Sequence, residues 1–245
     1  MSELKTLILH GHYGTPNPLK VMIILEELGL PYKHVSHARP PAARPLPPLT
    51  PTAARQVQVD ITKVKEEPYT QLNPNGRLPT LEDPNTGLVL WESAPIVEYL
   101  VDTYDKAGRL TLRSFPESYH LKQFLALQSS GQGPYYGQWV FFARYLPGEA
   151  VAIARYKDQL LRVWSVLDKI LEGKEYLVGG KCTYADLSFV AWEDGMRVKF
   201  PEFGLEKRAS EYPNYNAWYQ RLIARPAVAK ALRINREEMA KAAAK

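Results

Sequence analysis

Apolar and polar positions in the first hundred residues follow strand-like and helix-like spacings in turn. A loosely alternating apolar run over residues 4–9 predicts a buried strand. Residues 19–28 repeat apolar positions at helical spacing and stop at Gly29, which predicts a helix. Residues 32–36 are typical of a second strand, so the chain begins as a strand–helix–strand unit of the α/β class.

The rest of this first region predicts shorter elements separated by turns. A short irregular helix, two strands joined as a hairpin and a further helix follow over residues 64–75, 78–82, 88–91 and 96–104. Ser93 is the predicted N-cap of the last helix. We therefore place a first domain at residues 1–105 and a linker at residues 106–116.

No convincing strand pattern follows the linker. Long helical stretches are predicted instead over residues 119–130, 149–171, 184–198, 212–223 and 226–239. Residues 117–245 are therefore the predicted all-helical second domain. The glycine-rich segment 131–138 is expected to interrupt the first of these helices.

One segment fits neither pattern. Residues 38–58 carry six prolines and three arginines, namely Pro40, Pro41, Pro45, Pro47, Pro48, Pro51, Arg39, Arg44 and Arg55. This composition supplies little for a core and favours extended or disordered chain, so we expect an external loop inserted into the first domain. Two interpretations stay open: a tolerated insertion, or a loop whose arginines gate a site or attract an acidic substrate.

Composition and charge narrow the class of protein. The 245-residue chain is 45% hydrophobic and 23% charged, ordinary values for a soluble globular protein, and neither a signal-peptide core nor a membrane-spanning run is recognisable. Cys182 is the sole cysteine, which excludes an intrachain disulfide and favours a reducing, cytoplasmic environment. The net charge of +5 comes without zinc-ligand spacing or an RNA-binding signature, so it favours an anionic small molecule over nucleic acid.

Six motifs occur in order along the chain. They are Thr15-Pro-Asn17 with Lys20-Val21, residues 72–80, Trp91-Glu-Ser93, residues 128–138, residues 177–186 and Arg225-Pro-Ala-Val228. In this order and spacing the chain resembles the glutathione S-transferase superfamily over nearly its whole length. Within it, the chain is similar to the nu-like group and to fungal relatives of the yeast nitrogen-catabolite regulator. The insert at residues 38–58, and Pro18 where relatives usually carry glycine, depart from the family pattern.

The resemblance implies a thioredoxin-like N-terminal domain, an all-α C-terminal domain, a homodimer and glutathione as co-substrate. The glutathione-binding residues would be Lys65, Arg77, Leu78, Pro79, Glu92 and Ser93. Leu78-Pro79 matches a cis-proline that aims the Leu78 backbone at the cysteinyl part of glutathione. Ser93 and the amides of a helix N-terminus would take the γ-glutamyl carboxylate, and Glu92 its ammonium group.

Some of these roles have alternatives. Lys63 is as good a candidate as Lys65 for the glycyl end of glutathione, and Arg77 either adds charge or braces its loop. Glu92 and Ser93 are also compatible with a plain helix cap.

Catalysis in this family requires the glutathione thiol to ionise. Lowering its pKa by about two units takes about 2.7 kcal/mol of preferential thiolate binding. The Thr15 hydroxyl and the Asn17 amide match donor positions of the nu-like group, and either residue is also a good helix cap. Tyr13 is a rival donor, because some transferase classes use a tyrosine near the end of the first strand.

The second substrate would be a small hydrophobic or electrophilic molecule. The break at residues 131–138 is expected to turn four aromatic side chains towards the cleft between the domains: Tyr135, Tyr136, Trp139 and Phe142. Packing in the core or in a dimer interface is the alternative for each. No metal site is expected, since no third ligand accompanies His10 and His12.

Two further features are interpreted as structural. Thr183 and Asp186 have the spacing of a capping box, which would start a helix of the second domain. Cys182 precedes them and is expected to be buried and inert.

The leading hypothesis is a glutathione transferase that activates the thiol for attack on an electrophilic or disulfide substrate, as in detoxification. A glutathione-dependent disulfide reductase, and a glutathione-dependent isomerase or transferase of fungal secondary metabolism, would use the same thiolate. A regulator that binds glutathione without turnover is the alternative of another class. The intact glutathione motifs argue against it, although binding alone would preserve them.

Overall fold

The computed structural model describes residues 4–37, 63–204 and 208–244. The predicted insert at residues 38–58 lies outside the described residues. Within them an α/β half is followed by a helical half, as the sequence indicates. No helix in the described ranges is both long and apolar enough to cross a membrane.

The α/β half is built on a four-stranded mixed sheet with the strand order β2-β1-β3-β4. Its elements are β1 (Leu7–Gly11), α1 (Pro16–Leu28), β2 (Tyr32–Ser36), α2 (Tyr69–Leu72), β3 (Thr80–Asp83), β4 (Leu88–Trp91) and α3 (Ser93–Tyr104). β1 runs parallel to β2, with Leu7 opposite Tyr32, and antiparallel to β3, with Ile8 opposite Glu82. β3 and β4 form the predicted antiparallel hairpin. This arrangement confirms the thioredoxin-like class.

The helical half consists of six α-helices in the part of the chain that the structure describes. They are α4 (Glu117–Leu127), α5 (Gly133–Tyr145), α6 (Ala150–Ile170), α7 (Tyr184–Lys199), α8 (Pro213–Ile223) and α9 (Pro226–Ala243). The predicted interruption at residues 131–138 is wrong, because a single π-helical turn over Gln128–Gln132 joins α4 directly to α5.

The glycines of this segment serve packing and do not break the helix. A Cβ atom on Gly133 would lie 3.2 Å from Nε1 of Trp192, and one on Gly137 would lie 3.4 Å from the same indole ring. The first distance is tight and the second is an ordinary van der Waals contact. Glycine therefore lets the Trp192 ring of α7 pack close to the backbone of α5, at a modest cost in helix propensity.

The start of α7 confirms the predicted capping box. The carboxylate of Asp186 accepts the backbone N–H of Thr183 at 2.9 Å, and the box is completed in both directions. The same buried carboxylate accepts the indole N–H of Trp218 in α8, also at 2.9 Å. One side chain thus fixes the start of α7 and attaches α8 to it.

A second buried carboxylate, that of Glu193 in α7, links α7 to α5 and α8. It accepts the hydroxyls of Tyr136 and Tyr215 at 2.9 and 2.8 Å, and it pairs with Arg197 at 2.7 Å. Burial raises the pKa of Tyr136 well above its usual value, and Glu193 adds to that rise. Tyr136 is therefore a structural member of the helical core.

α1 lies between the two halves. Residues 18–25 are all buried, as expected only for a helix that is covered on every face. One face packs against the sheet and α3, and the others against α7 and α9. Arg225 bonds both oxygens of Glu27 at 2.6 and 2.7 Å, and Lys230 pairs with Glu26 at 2.7 Å. The helix that follows β1 is thus positioned by both halves.

Candidate active site

The junction of β4 and α3 offers a site for an anion. Glu92 occupies the N-cap with φ 70, a left-handed conformation that is unfavourable for a residue with a side chain. Ser93 is buried and is the first helical residue, so the prediction that it is the N-cap is wrong by one position. The peptide N–H groups of Ser93 and Ala94 have no partner within the helix, and Pro95 has no N–H. Two amides, a hydroxyl and the positive end of the helix dipole therefore meet at one point.

The loop before β3 has the predicted cis peptide bond between Leu78 and Pro79. The carbonyl oxygen of Arg77 accepts the hydroxyl of Tyr69 at 2.7 Å and the side-chain amide of Asn73 at 2.8 Å. These two bonds fix the direction of the peptide that leads into Leu78. The Arg77 side chain itself is exposed.

Lys65 and Glu92 lie along one edge of this region and are linked through Asn75. Nζ of Lys65 donates to the backbone oxygen of Asn75 at 3.0 Å, and the Asn75 side chain donates to Glu92 at 3.2 Å. The structure thus brings together a cation, an anion and the amides of α3. Lys63 is exposed, and no contact supports it over Lys65.

The loop that enters α1 carries the two predicted thiol-activating residues. Thr15 is the N-cap of α1, but its hydroxyl donates to the backbone oxygen of His12 at 2.6 Å. A hydroxyl has one proton, so in this arrangement Thr15 has none to offer a thiolate. Pro16 and Pro18 lack N–H groups, which leaves the amide of Asn17 among the first three residues of α1.

The side chain of Asn17 is oriented by a residue of the helical half. The indole N–H of Trp192 donates to Oδ1 of Asn17 at 2.9 Å. An indole nitrogen can only donate, so this bond assigns the oxygen of the Asn17 amide to the Trp192 side and leaves its NH₂ group as the free end. A neutral donor is thereby presented beside the start of α1.

Gly14 is held by the helical half through both of its backbone polar groups. Its N–H donates to Oδ1 of Asn235 at 2.8 Å, and its oxygen accepts Nζ of Lys199 at 2.5 Å. Its φ of +85 favours glycine, and a Cβ atom there would lie 2.8 Å from the sulfur of Met239. The catalytic-loop candidate is therefore shaped by α7 and α9 as well as by β1.

Lys20 is a residue whose importance the sequence did not indicate by itself. It is buried, and its Nζ donates to Oε1 of Gln128 in the π-helical turn at 2.6 Å. Burial lowers the pKa of Lys20 to about 7, against the opposing effect of Glu92. It lies three residues after Asn17, on the same side of α1. The sequence signals were its place in the Thr15–Val21 motif and its position among apolar residues, and neither indicated a role for its side chain.

A cavity of about 540 Å³ opens beside this loop. Its wall is mostly apolar and is formed by the 14–19 segment, α5, α7 and α9, including Thr15, Val140, Trp192, Met196 and Met239. This volume is typical of small-molecule sites.

The four aromatic residues predicted for the second-substrate pocket do not line this cavity. Tyr136 is bonded to Glu193, and the ring of Trp139 packs edge-on against Phe203 at 4.7 Å. Tyr135 and Phe142 turn towards Tyr156 of α6. Gly137 and Val140 are the residues of α5 that line the cavity.

The rival candidates have other contacts. The Tyr13 ring stacks on His34 with centroids 4.0 Å apart, and burial raises the pKa of its hydroxyl. His10 contacts His37 at 3.1 Å and Glu82 at 2.6 Å on the opposite face of β1.

Comparisons with known proteins agree with this geometry. The family description "Glutathione S-transferase, N-terminal domain" matches residues 15–103, and "Glutathione S-transferase, C-terminal domain" matches residues 140–233. The chain is 38% identical to the glutathione S-transferase-like protein gedE of Aspergillus terreus, covering 95% of this chain and 96% of that protein. It is 38% identical to glutathione S-transferase 2 of Schizosaccharomyces pombe, covering 96% of both.

A solved structure shows the same likeness. The glutathione transferase URE2P6 of Phanerochaete chrysosporium, crystallised with oxidized glutathione, aligns with a TM-score of 0.81 and 38% identity. The alignment covers 97% of this chain and 99% of that one. The chain therefore belongs to the glutathione S-transferase family, as a relative of its fungal Ure2-like members.

Proposed function

We propose that this protein is a glutathione transferase that holds the glutathione thiol as a thiolate and directs it at an electrophile in the cavity beside Thr15. The single observation that carries the proposal is the oriented Asn17 amide, whose NH₂ group is free because Trp192 occupies its oxygen. The α3 amides and Ser93 would take the γ-glutamyl carboxylate, Glu92 its ammonium group and Lys65 the glycyl carboxylate. The backbone of Leu78, before Pro79, would align the cysteinyl part, with Arg77 adding charge.

The residues at the start of α1 can supply the free energy needed to stabilise the thiolate. Stabilising a thiolate by two pKa units takes about 2.7 kcal/mol. A hydrogen bond to a charged group contributes about 1.5–3 kcal/mol, so the Asn17 side chain could supply much of the total. Because Pro16 and Pro18 remove two amides, the N–H of Asn17 is the main backbone contribution of α1. We therefore assign Asn17 the leading role and Thr15 the role of shaping the loop.

The reaction follows from the position of the cavity. The thiolate sulfur forms a bond to the electrophilic carbon, and the leaving group departs with its electron pair, for example as chloride. The thiol proton passes to solvent. The apolar wall excludes water from the thiolate and favours aromatic or aliphatic electrophiles.

Disulfide reduction is a second candidate for the same thiolate. It is favoured by URE2P6, which was crystallised with oxidized glutathione. Cys182 is buried, and burial raises the pKa of its thiol, so it is unsuited to be a redox nucleophile. A reductase activity would therefore use glutathione alone. Its thiolate would attack a mixed disulfide of glutathione, form oxidized glutathione and release the other thiol.

Turnover assays at fixed glutathione separate the candidates. We expect the protein to conjugate 1-chloro-2,4-dinitrobenzene or to reduce the mixed disulfide of glutathione and 2-hydroxyethanethiol well above the uncatalysed rates. The Asn17→Ala variant should lose most of whichever activity the wild type shows in these assays. Glutathione binding by calorimetry, with neither activity, would identify a non-catalytic glutathione-binding protein instead.

We expect Trp192→Phe to weaken thiol activation by releasing the Asn17 side chain. The loss of one neutral hydrogen bond predicts about a threefold fall in kcat/KM below pH 7, with the KM for glutathione nearly unchanged. The control is the same substitution in an Asn17→Ala background, where it should have almost no further effect. If Trp192→Phe lowered kcat/KM equally in the wild-type and Asn17→Ala backgrounds, Trp192 would not act through Asn17.

We also propose a two-fold homodimer in which the first domain of one chain meets the second domain of its partner. β4 leaves Leu88, Val89 and Trp91 partly exposed, and Phe115 and Tyr119 at the start of α4 are 84% and 65% exposed. Light scattering should give twice the 27.8 kDa mass of one chain. Phe115→Glu should shift the protein towards the monomer, whereas Val151→Glu, at an 85% exposed valine of α6, should not. A wild-type monomer at micromolar concentration would refute the dimer.

A further inference from the structure

The cavity beside Thr15 is apolar except for a small group of polar and charged side chains at one end. Asp194, Lys199, Asn235 and Arg236 line it there. Arg236 pairs with Asp194 at 2.5 Å, so their charges are mutually compensated. Asn235 is neutral and already accepts the N–H of Gly14. Lys199 is the remaining charge.

Lys199 has no ion-pair partner among the described residues. Its Nζ donates to the backbone oxygen of Gly14 at 2.5 Å. An ammonium group has three N–H bonds, so this contact leaves two for another acceptor. Burial lowers the pKa of Lys199; Asp194 opposes that shift and Arg144 adds to it. Among the described residues, a partly desolvated cation therefore lines an apolar cavity without an ion-pair partner, and such an arrangement favours binding of an external anion.

The position of Lys199 relates the cation to the reacting centre. Gly14, which it bonds, immediately precedes Thr15 and lies three residues before Asn17. The cation, at the end of α7, is therefore bonded to the segment that leads into the thiol donor, and Gly14 and Thr15 of that segment line the cavity. An acidic group bound by Lys199 would fix the orientation of a ring in the cavity relative to the sulfur.

We propose that the second substrate is an apolar, ring-containing electrophile that bears one acidic group, and that Lys199 binds this group. This inference rests on the proposed transferase function and names the substrate class for it. A neutral electrophile would enter the same cavity but would lack this contact. Asn235 and the backbone of Gly14 hold the loop in place whether or not an acid is bound.

Binding of two matched probes tests the inference without turnover. They are 8-anilinonaphthalene-1-sulfonate and N-phenyl-1-naphthylamine, which share one ring system and differ by the sulfonate. In the wild type the sulfonate probe should bind at least tenfold more tightly. Lys199→Gln removes the charge but keeps a donor for the Gly14 oxygen, and should abolish this preference. Lys199→Arg, which keeps the charge, should retain it. A preference that survives Lys199→Gln would overturn the proposal.

A third variant tests whether the probes bind in this cavity. A Cβ atom on Gly195 would have only one neighbour within 4 Å, Cγ of Pro16 at 3.9 Å, so Gly195→Leu can fill the cavity without a clash at Cβ. This variant should lose both probes. Undiminished sulfonate binding in it would show that the anion binds elsewhere, which would also overturn the proposal.

A matched pair of substrates separates this inference from the proposed function. 4-Chloro-3,5-dinitrobenzoate and its carboxamide react with a thiolate in the same way, with loss of chloride. Lys199→Gln should lower kcat/KM at least tenfold for the carboxylate relative to the amide, and this ratio cancels any effect on the loop. If Lys199→Gln lowered kcat/KM equally for the carboxylate and the carboxamide, the role of Lys199 would be refuted, while the proposed transferase function would stand. If neither compound were turned over but binding of the sulfonate probe still depended on Lys199, the proposed transferase function would be refuted and the acid-binding role of Lys199 would be supported.

Discussion

Replacing Asn17 by alanine should raise the pKa of enzyme-bound glutathione by one to two units. The reason is the loss of a hydrogen bond to a charged sulfur, about 1.5–3 kcal/mol, against about 1.4 kcal/mol for each pKa unit. kcat/KM for 1-chloro-2,4-dinitrobenzene should fall at least tenfold below pH 7 and recover as the pH rises through the new pKa, because thiolate then forms unaided. Affinity for glutathione should change much less. The pH–rate profile from pH 6 to 9 measures both quantities.

Tyr13→Phe is the matched control for Asn17→Ala. The Tyr13 ring stacks on His34, and phenylalanine can keep that contact, so activity should remain near that of the wild type. Abolished activity in Tyr13→Phe, with Asn17→Ala nearly normal, would show that the tyrosine hydroxyl is the thiol donor.

Ser93→Ala and Glu92→Gln should each weaken glutathione binding by about 1–3 kcal/mol, or roughly five- to 150-fold. Each removes one charge-assisted contact to the γ-glutamyl group while leaving the amides of α3 in place. Glu92→Gln should unfold at nearly the wild-type temperature, since the residue is exposed. Calorimetry gives the affinities and a melting curve checks the fold.

Glu172→Gln is the control for the loss of one negative charge. Glu172 is exposed in the helical half, beyond the end of α6, and its substitution should leave glutathione affinity unchanged. If both α3 variants bound glutathione as tightly as the wild type, the assignment of this helix N-terminus would fail.

The sequence predicted those features that depend on neighbouring residues. The βαβ start, the β3–β4 hairpin and the capping box at Thr183 are set by local patterns, whereas the cis bond at Leu78–Pro79 was implied by the family resemblance. The helices of the second half were also predicted to within a few residues, apart from α5. Helical periodicity and turn chemistry act over less than a dozen residues, which is why one sequence sufficed.

The continuous helix through α5 was not predicted, because glycine in a helical sequence can mark either a break or a close packing contact. Gly131, Gly133 and Gly137 were interpreted as a break, which is the usual meaning of glycine within a helical pattern. Here Gly133 and Gly137 provide room for the Trp192 ring, a residue more than 50 positions away. That need is invisible without the tertiary structure. The four predicted aromatic residues accordingly do not line the described cavity, which Gly137 and Val140 of α5 meet instead.

The residues of the candidate active-site loop could be named from the sequence, but the contacts that hold the loop could not. Asn17 and Glu92 were assigned on motifs, whereas the contacts that shape the loop come from Trp192, Lys199 and Asn235. These residues are 175 to 221 positions away from the loop atoms they bond. No local pattern marks them, because each acts through a single hydrogen bond across the interface between the two halves.

We expect the protein to bind glutathione as a thiolate, and the ultraviolet absorbance of the bound thiolate measures this. Glutathione-saturated protein is titrated from pH 5 to 10, with S-methylglutathione, which has no ionisable thiol, as the blank. We expect a pKa for the bound thiol at or below about 7, well under that of a free thiol near 8.5. A bound thiol that titrates with the pKa of free glutathione would contradict it.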